Sequence, residues 1–376
     1  MTLSMPLSSR HHIGLAFGII LGLSVVEPAL NPPTANACFF WQSSCRSGQA
    51  SNTRAGGKRT GRIRGGNDAS IPYIISPRNS WMRQPGPNTP YTIRWNPVAG
   101  AESYTVRLWQ WTYEQDQPSF ALWESESIEE TNEIPFPNLI LEPGRYYSIE
   151  VVTDSGASSE SDEGFYQSGF QILFEEDYEV LALNLAEVAP AVAGDASLSV
   201  PANTIPSVQT NDTQADSVSV TDTIDDSINP TTETEDTVLA KAGVYFLEGM
   251  YADALTILQS LTENSTASDW AYTALGDTYS QMGLNQLAIE TYGQALSLAT
   301  NSNNVLSEAI TRVNLADVYA ILGQFEDALD QLTLARRAYE QLQEDVEVAR
   351  LDRRIQLLSR LVSEQSDTTR STIQGG

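Results

Sequence analysis

The spacing of apolar residues changes character several times along the chain. Ile13 to Val26, IGLAFGIILGLSVV, is continuously apolar but too short for a comfortable membrane span. From about residue 70 to 173, short aromatic and β-branched runs alternate with turn signals: TPYTIRWNPVAGAESYTVRLWQW, ALWES, LEPGRYYSIEVVT and GFQILF. That spacing predicts an antiparallel all-β sandwich. Within SYTVRL the period of two puts Tyr104, Val106 and Leu108 on one face. Arg107, Trp109 and Trp111 share the other face, and Trp123 falls on the next strand. These rings either pack beneath a neighbouring segment or form an aromatic surface that stacks on a sugar or grips a peptide. Residues 174–234 predict a disordered acidic linker, ending in the Ser/Thr/Asp-rich TQADSVSVTDTIDDSINPTTETED, with a weak helical pattern at YEVLALNLAEV.

From residue 235 an amphipathic helical pattern recurs. Tyr245, Gly249 and Ala254 return 34 residues later as Tyr279, Gly283 and Ala288, and a further 40 later as Tyr319, Gly323 and Ala328. Leu275 and Asp277 recur as Leu315 and Asp317, and Ala295 as Ala335. The alanines suit a close helix crossing, and the glycines suit a left-handed turn between two helices. Tyr279 and Tyr292 are sized to fill the space between neighbouring pairs. The units span 235–268, 269–302 and 309–342, the last preceded by an insertion near NSNN. A final helix over 343–365 carries Val348, Leu351, Ile355, Leu358 and Val362 on one stripe. Glu347, Arg350, Arg353, Arg354 and Arg360 lie on its other face, as a solubilising end cap requires, and residues 366–376 form a disordered tail.

This 34-residue unit resembles the tetratricopeptide repeat. The middle unit is the nearest match. The first has Lys241-Ala242 and the third Leu315-Ala316 where the middle one has Leu275-Gly276. The resemblance implies an all-α solenoid whose first helices line a concave groove that holds a protein segment. It places Leu239, Gly243, Phe246 and Leu247 in that groove, then Trp270, Thr273, Asp277, Ser280 and Gln281, then Ile310, Val313, Asp317, Ala320 and Ile321. Such a groove is mixed apolar, has no Lys or Arg, and stacks Asp277 and Asp317 one repeat apart. Charge complementarity then favours a partner segment with apolar anchors and a Lys or Arg. The aspartates equally suit a role in the fold of their own repeats. Residues 70–173 resemble a fibronectin type III domain, an immunoglobulin-like sandwich. Trp95 sits in an early strand before NPVAGAESYTV, and LEPGRYYSIEV looks like that family's tyrosine corner, with Tyr147 at the corner. The combination resembles bacterial envelope proteins with scaffolding or assembly roles. Adhesion to a glycan through the β region is the alternative.

Charge narrows the partners. There are 48 Asp+Glu against 21 Lys+Arg, a net charge of −27, which opposes binding to nucleic acid or anionic lipid. No basic residue lies between Arg145 and Lys241, whereas Arg46 to Arg64 holds six and no acid. Residues 38–69 therefore read as a basic flexible tether, either touching an anionic surface or serving as a soluble spacer. Arg10, the apolar run and TANAC read as a signal peptide over residues 1–37, implying export to the periplasm or envelope; an uncleaved anchor is the other reading. Its removal takes away His11 and His12, the only histidines, and with them imidazole catalysis and His-ligated zinc. Cys38 and Cys45 form a short-loop disulfide, or Cys38 carries lipid, in which case alone a membrane is involved. No EF-hand spacing and no paired carboxylates in a cleft context are present. The expectation is a non-enzymatic protein without metal or cofactor that binds other proteins.

Overall fold

The computed structural model describes residues 65–86, 89, 91–111, 118–165, 169–188, 234–263 and 266–374. The expected signal segment, both cysteines, residues 38–64 of the tether and residues 189–233 of the linker lie outside these. Among the described residues an N-terminal β-rich region is followed by a C-terminal region of helical repeats, and both belong to one compact unit.

The β region has nine strands: β1 Ile74–Ser76, β2 Ser80–Met82, β3 Thr92–Trp95, β4 Ser103–Trp111, β5 Pro118–Glu124, β6 Ile128–Glu129, β7 Glu133–Pro135, β8 Tyr146–Thr153 and β9 Phe170–Ile172. They form two sheets, β1-β3-β7 and β2-β9-β8-β4-β5, with β6 added on β4. Every pairing is antiparallel except β2 with β9. The alternation in β4 works as read: Tyr104, Val106 and Leu108 are buried. They share a core with Ile93 and Trp95 of β3 and with Ile149 and Val151 of β8. Trp95 packs edge-on against Tyr104, ring centroids 5.4 Å apart. The Tyr147 hydroxyl accepts from the Glu142 amide at 2.7 Å and so ties down the Pro143-Gly144 turn.

Among the described residues eight α-helices follow: α1 Glu175–Val188, α2 Glu235–Leu247, α3 Tyr251–Thr262, α4 Asp269–Gln281, α5 Asn285–Asn301, α6 Val305–Ile321, α7 Phe325–Gln341 and α8 Asp345–Gln374. Helices α2 to α7 form three hairpins. Each hairpin turns on a glycine with a left-handed backbone, Gly249, Gly283 and Gly323, at φ of 74°, 75° and 77°. The first helix of each begins with a side-chain cap: Thr234, Ser268 and Asn304 accept from the amides of Thr237, Ala271 and Ser307. Ala254, Ala288 and Ala328 are fully buried, as a close crossing demands.

The insertion near NSNN makes no loop. It lengthens α5 to 17 residues, against 12 in α3, and starts α6 at Val305 rather than 309. The weak helical pattern inside the acidic segment is α1, which packs Tyr178, Leu181, Leu185 and Val188 against the first hairpin's core. The last helix runs to Gln374, through most of the expected tail.

Candidate protein-binding surface

Two questions define this surface: what the first helices present, and what braces them. The brace starts at the end of the expected tether, which is built into the structure here. Gly65 bridges to Leu284, and the Gly66 amide donates to Asp162 at 2.8 Å. The chain then crosses the turns of the first two hairpins. The Trp81 amide donates to the Gly249 carbonyl at 2.9 Å, and the Ala252 amide donates to Ser80 Oγ at 3.0 Å. At the end of α4, Arg78 Nε and Asn79 Nδ2 donate to the carbonyls of Met282 and Gln281, each at 2.8 Å. A helix C-terminus leaves unpaired carbonyls and a negative dipole end, and a guanidinium answers both.

Two buried ion pairs lock this joint. Arg78 meets Asp162 at 3.0 Å, and burial pushes the Asp162 carboxyl above its ordinary value against the pull of Arg78. Arg83 meets Asp253 of α3 at 2.7 Å, and the Tyr91 hydroxyl donates to the same carboxylate. Burial, then the Asp253 charge, holds the Tyr91 phenol well above its usual range. Such pairs contribute little net stability over an apolar replacement, but breaking one half is costly, so they enforce one docking geometry. The sequence carries the same division. Met250 and Leu284, which follow the first two turn glycines, are fully buried. After the third the residue is Gln324, which is exposed, and a Cβ built on Gly323 meets open space.

The positions expected in the groove divide into two sets. Thr273 is buried and shares a hydrogen bond with Thr311 of the next first helix at 2.8 Å. Ile310, Val313, Leu239, Gly243 and Phe246 are also buried. Asp277 is 2% exposed and accepts from Tyr292 Oη and from Asn314 Nδ2. It cannot meet a partner while the hairpins stay stacked, so its geometry fits the reading in which it serves its own repeats. Asp317 is paired with Arg354 of α8, and its side chain remains 40% exposed. Trp270, Ser280, Gln281, Ala320, Ile321 and Leu247 are half-buried on the first helices. The row continues into α8, which adds Arg350, Arg353, Arg354 and Arg360.

Both aspartate contacts span 37 residues, from Asp277 to Asn314 and from Asp317 to Arg354. With a 40-residue unit, each aspartate reaches a position three residues earlier in the next first helix. In the first hairpin the residue at the aspartate's position is Gly243, and the position three before Asp277 holds Ala274, so neither offers a polar side chain.

On the β region, Trp109 Nε1 donates to Glu150 at 3.1 Å and Trp111 Nε1 to Ser148 at 2.8 Å. Both rings are half-buried on the outer face of β4, with Tyr146 edge-on to Trp111 at 6.1 Å. Trp123 does not join them. It stands opposite Leu108 and packs against the core between the sheets. Among the described residues no group of three His, Cys, Asp or Glu is placed to hold a metal, and no helix is long and apolar enough to cross a membrane.

The stacking of hairpins on buried alanines, with small residues opposite large ones, is matched by sequence comparison. Residues 267–341 match the family model for the tetratricopeptide repeat. The match takes in the second and third hairpins; the first lies outside it. Among solved structures the chain is similar to the crystal structure of MamA protein, at 22% identity over 36% of this chain and 75% of that one, with a TM-score of 0.25. No curated protein matches it.

Proposed function

We propose that the chain is a non-enzymatic protein-interaction scaffold, exported to the bacterial cell envelope, that holds a partner segment along the first helices of its repeats. The tetratricopeptide repeats at 267–341 carry this reading, because that module is built for binding proteins. The half-buried Trp270, Gln281, Ile321 and Asp317 offer apolar anchors and one carboxylate. They suit a segment with apolar residues and a Lys or Arg. The fibronectin type III-like β region and the first hairpin act as the brace. Affinity capture with the full chain from an envelope fraction, read by mass spectrometry, tests this. A partner retained by wild type and lost with Trp270→Glu/Ile321→Glu supports the proposal. Identical recoveries from both would refute it.

A second reading rests on Trp109 and Trp111. Their indole N–H groups are held by Glu150 and Ser148, which fixes the rings across the sheet in the manner of a stacking platform for a sugar. Retention of the full chain on cell-wall polysaccharide, abolished by Trp109→Ala/Trp111→Ala in a protein of unchanged melting temperature, would favour it. Absence of retention by wild type would dismiss it.

A further inference from the structure

At each end of the helical row stands a helix covered on one side only. Helix α8 continues the repeat register. The left-handed residue Gln343 (φ 60°) follows Asn303 (φ 54°) by 40 positions. The Glu344 amide donates to the Tyr339 carbonyl at 3.0 Å, as Asn304 does to Ala299 at 2.8 Å. The same shift carries Val313, Asp317 and Ala320 onto Arg353, Leu357 and Arg360. In α4 this face is closed by the next first helix, where Thr273 meets Thr311 and Asp277 meets Asn314. In α6, Asp317 reaches Arg354 of α8. Among the described residues no helix follows α8. Arg353 and Arg360 are exposed there, with Leu357 59% and Val346 78% exposed on the same helical stripe.

The opposite end is chemically complementary. Helix α1 turns Tyr178 and Leu181 into the core and leaves Val180 51% and Leu183 68% exposed. Exposed Glu175 and Glu179 sit two turns and one turn before Leu183, and α1 holds no basic residue. One end therefore pairs leucine and valine with arginines, and the other pairs leucine and valine with glutamates. Two faces that each leave large apolar residues in water gain by covering one another, and opposite charges fix which face meets which.

We propose that copies of this chain associate head to tail, the Arg353–Leu357–Arg360 stripe of α8 docking on the Glu175–Glu179–Leu183 stripe of α1 in a second copy. The contact is heterologous, so each copy keeps one unused face of each kind at the ends of the assembly and further copies add, unless a ring closes. Repulsion between two bodies of net charge −27 does not prevent it. At physiological ionic strength that repulsion is screened beyond about 8 Å, whereas paired groups in contact are screened much less. The association is separate from partner capture along the first helices.

Sedimentation velocity of the full chain at physiological salt, over a range of concentrations, tests the proposal. Wild type is expected to gain mass with concentration. Arg353→Glu/Arg360→Glu and Glu175→Lys/Glu179→Lys, all at exposed positions, should each weaken self-association at least about tenfold with circular dichroism unchanged. Mixed in equal amounts, the two variants should associate again, since each then offers the other a face of opposite charge. A wild type that stays monomeric, variants that associate as wild type does, or a mixture that fails to recover would each overturn it.

Discussion

Asp253 joins the helical region to two side chains of the β region, and removing its carboxylate should loosen the joint. Its side chain is 4% exposed and that of Arg83 is 9% exposed. Asp253→Ala takes the buried carboxylate from both the Arg83 guanidinium and the Tyr91 hydroxyl. Stranding a buried charge costs about 3–5 kcal/mol. Losing the acceptor of Tyr91 adds about 1–3 kcal/mol, partly shared with the first loss. Replacing all three groups with apolar side chains of similar size, Arg83→Met/Asp253→Leu/Tyr91→Phe, removes both charges at once; the Arg83 amide loses the Tyr91 oxygen it donates to, so the variant should recover most of the loss and stay within about 1–3 kcal/mol of wild type. Urea unfolding is the assay, read twice. Circular dichroism follows the helices, and tryptophan fluorescence is dominated by Trp81, Trp95, Trp109, Trp111 and Trp123 in the β region. In wild type the two probes should report one transition; in Asp253→Ala the β transition should move to lower urea than the helical one. A loss below about 1 kcal/mol with coincident transitions would refute the reasoning, as would a triple variant as damaged as the single one.

Further outcomes follow from the repeats. Gly276 has no room for a methyl, since a Cβ there lies 2.6 Å from the Tyr292 ring. Gly276→Ala should cost about 1–3 kcal/mol in chemical denaturation, and adding Tyr292→Leu should recover part of it. Asn314→Ala takes one donor from the buried Asp277 carboxylate, which keeps the Tyr292 hydroxyl, and should cost about 1–3 kcal/mol, while Arg354→Ala at the half-exposed pair with Asp317 should cost under about 1 kcal/mol; equal losses would contradict the burial seen at Asp277. Burial raises the Glu248 carboxyl above the ordinary glutamate value despite the hydrogen bond from Asn184. The folded state then holds its proton more tightly than the unfolded chain, so this group favours folding below the ordinary carboxylate value and loses that contribution as pH rises through the raised one. Glu248→Gln should therefore gain melting temperature relative to wild type between pH 4 and neutrality, and a difference that shrank as pH rose would be the wrong sign.

The parts of this fold legible in the sequence are those written by neighbours in the chain. Gly249, Gly283 and Gly323 mark turns because a left-handed backbone is a local demand. The alternation around Val106 marks a strand because its period is local. The placement of Tyr292 differs from the reading: it faces Gly276 of its own hairpin, and at the corresponding positions Ala242 and Ala316 go with Leu258 and Leu332. The Asp277–Asn314 contact follows from the repeat length, yet a motif position alone does not reveal that stacking will enclose it. The joint was not legible. Arg83 and Asp253 are 170 residues apart and Arg78 and Met282 are 204 apart, and the residues between give no cue that a cation in one segment completes a helix end in another. For the same reason Gly65 and Gly66 read as spacer, although their small size is what admits them beside Arg78 and Leu284.

The strand that crosses the turns at Gly249 and Met282 has a mechanical consequence. Tilting the first hairpin against the second would stretch hydrogen bonds to Trp81, Arg78 and Asn79 on a single rigid edge, so that half of the array behaves as a clamped beam. Among the described residues the turn edge beyond α5 carries no such splint at Gly323, and elastic compliance is concentrated between α6 and α8. A guest that tightens or relaxes the curvature would do so by bending that distal half, and a pull applied at the C-terminus would be absorbed there before any strain reached the sheets.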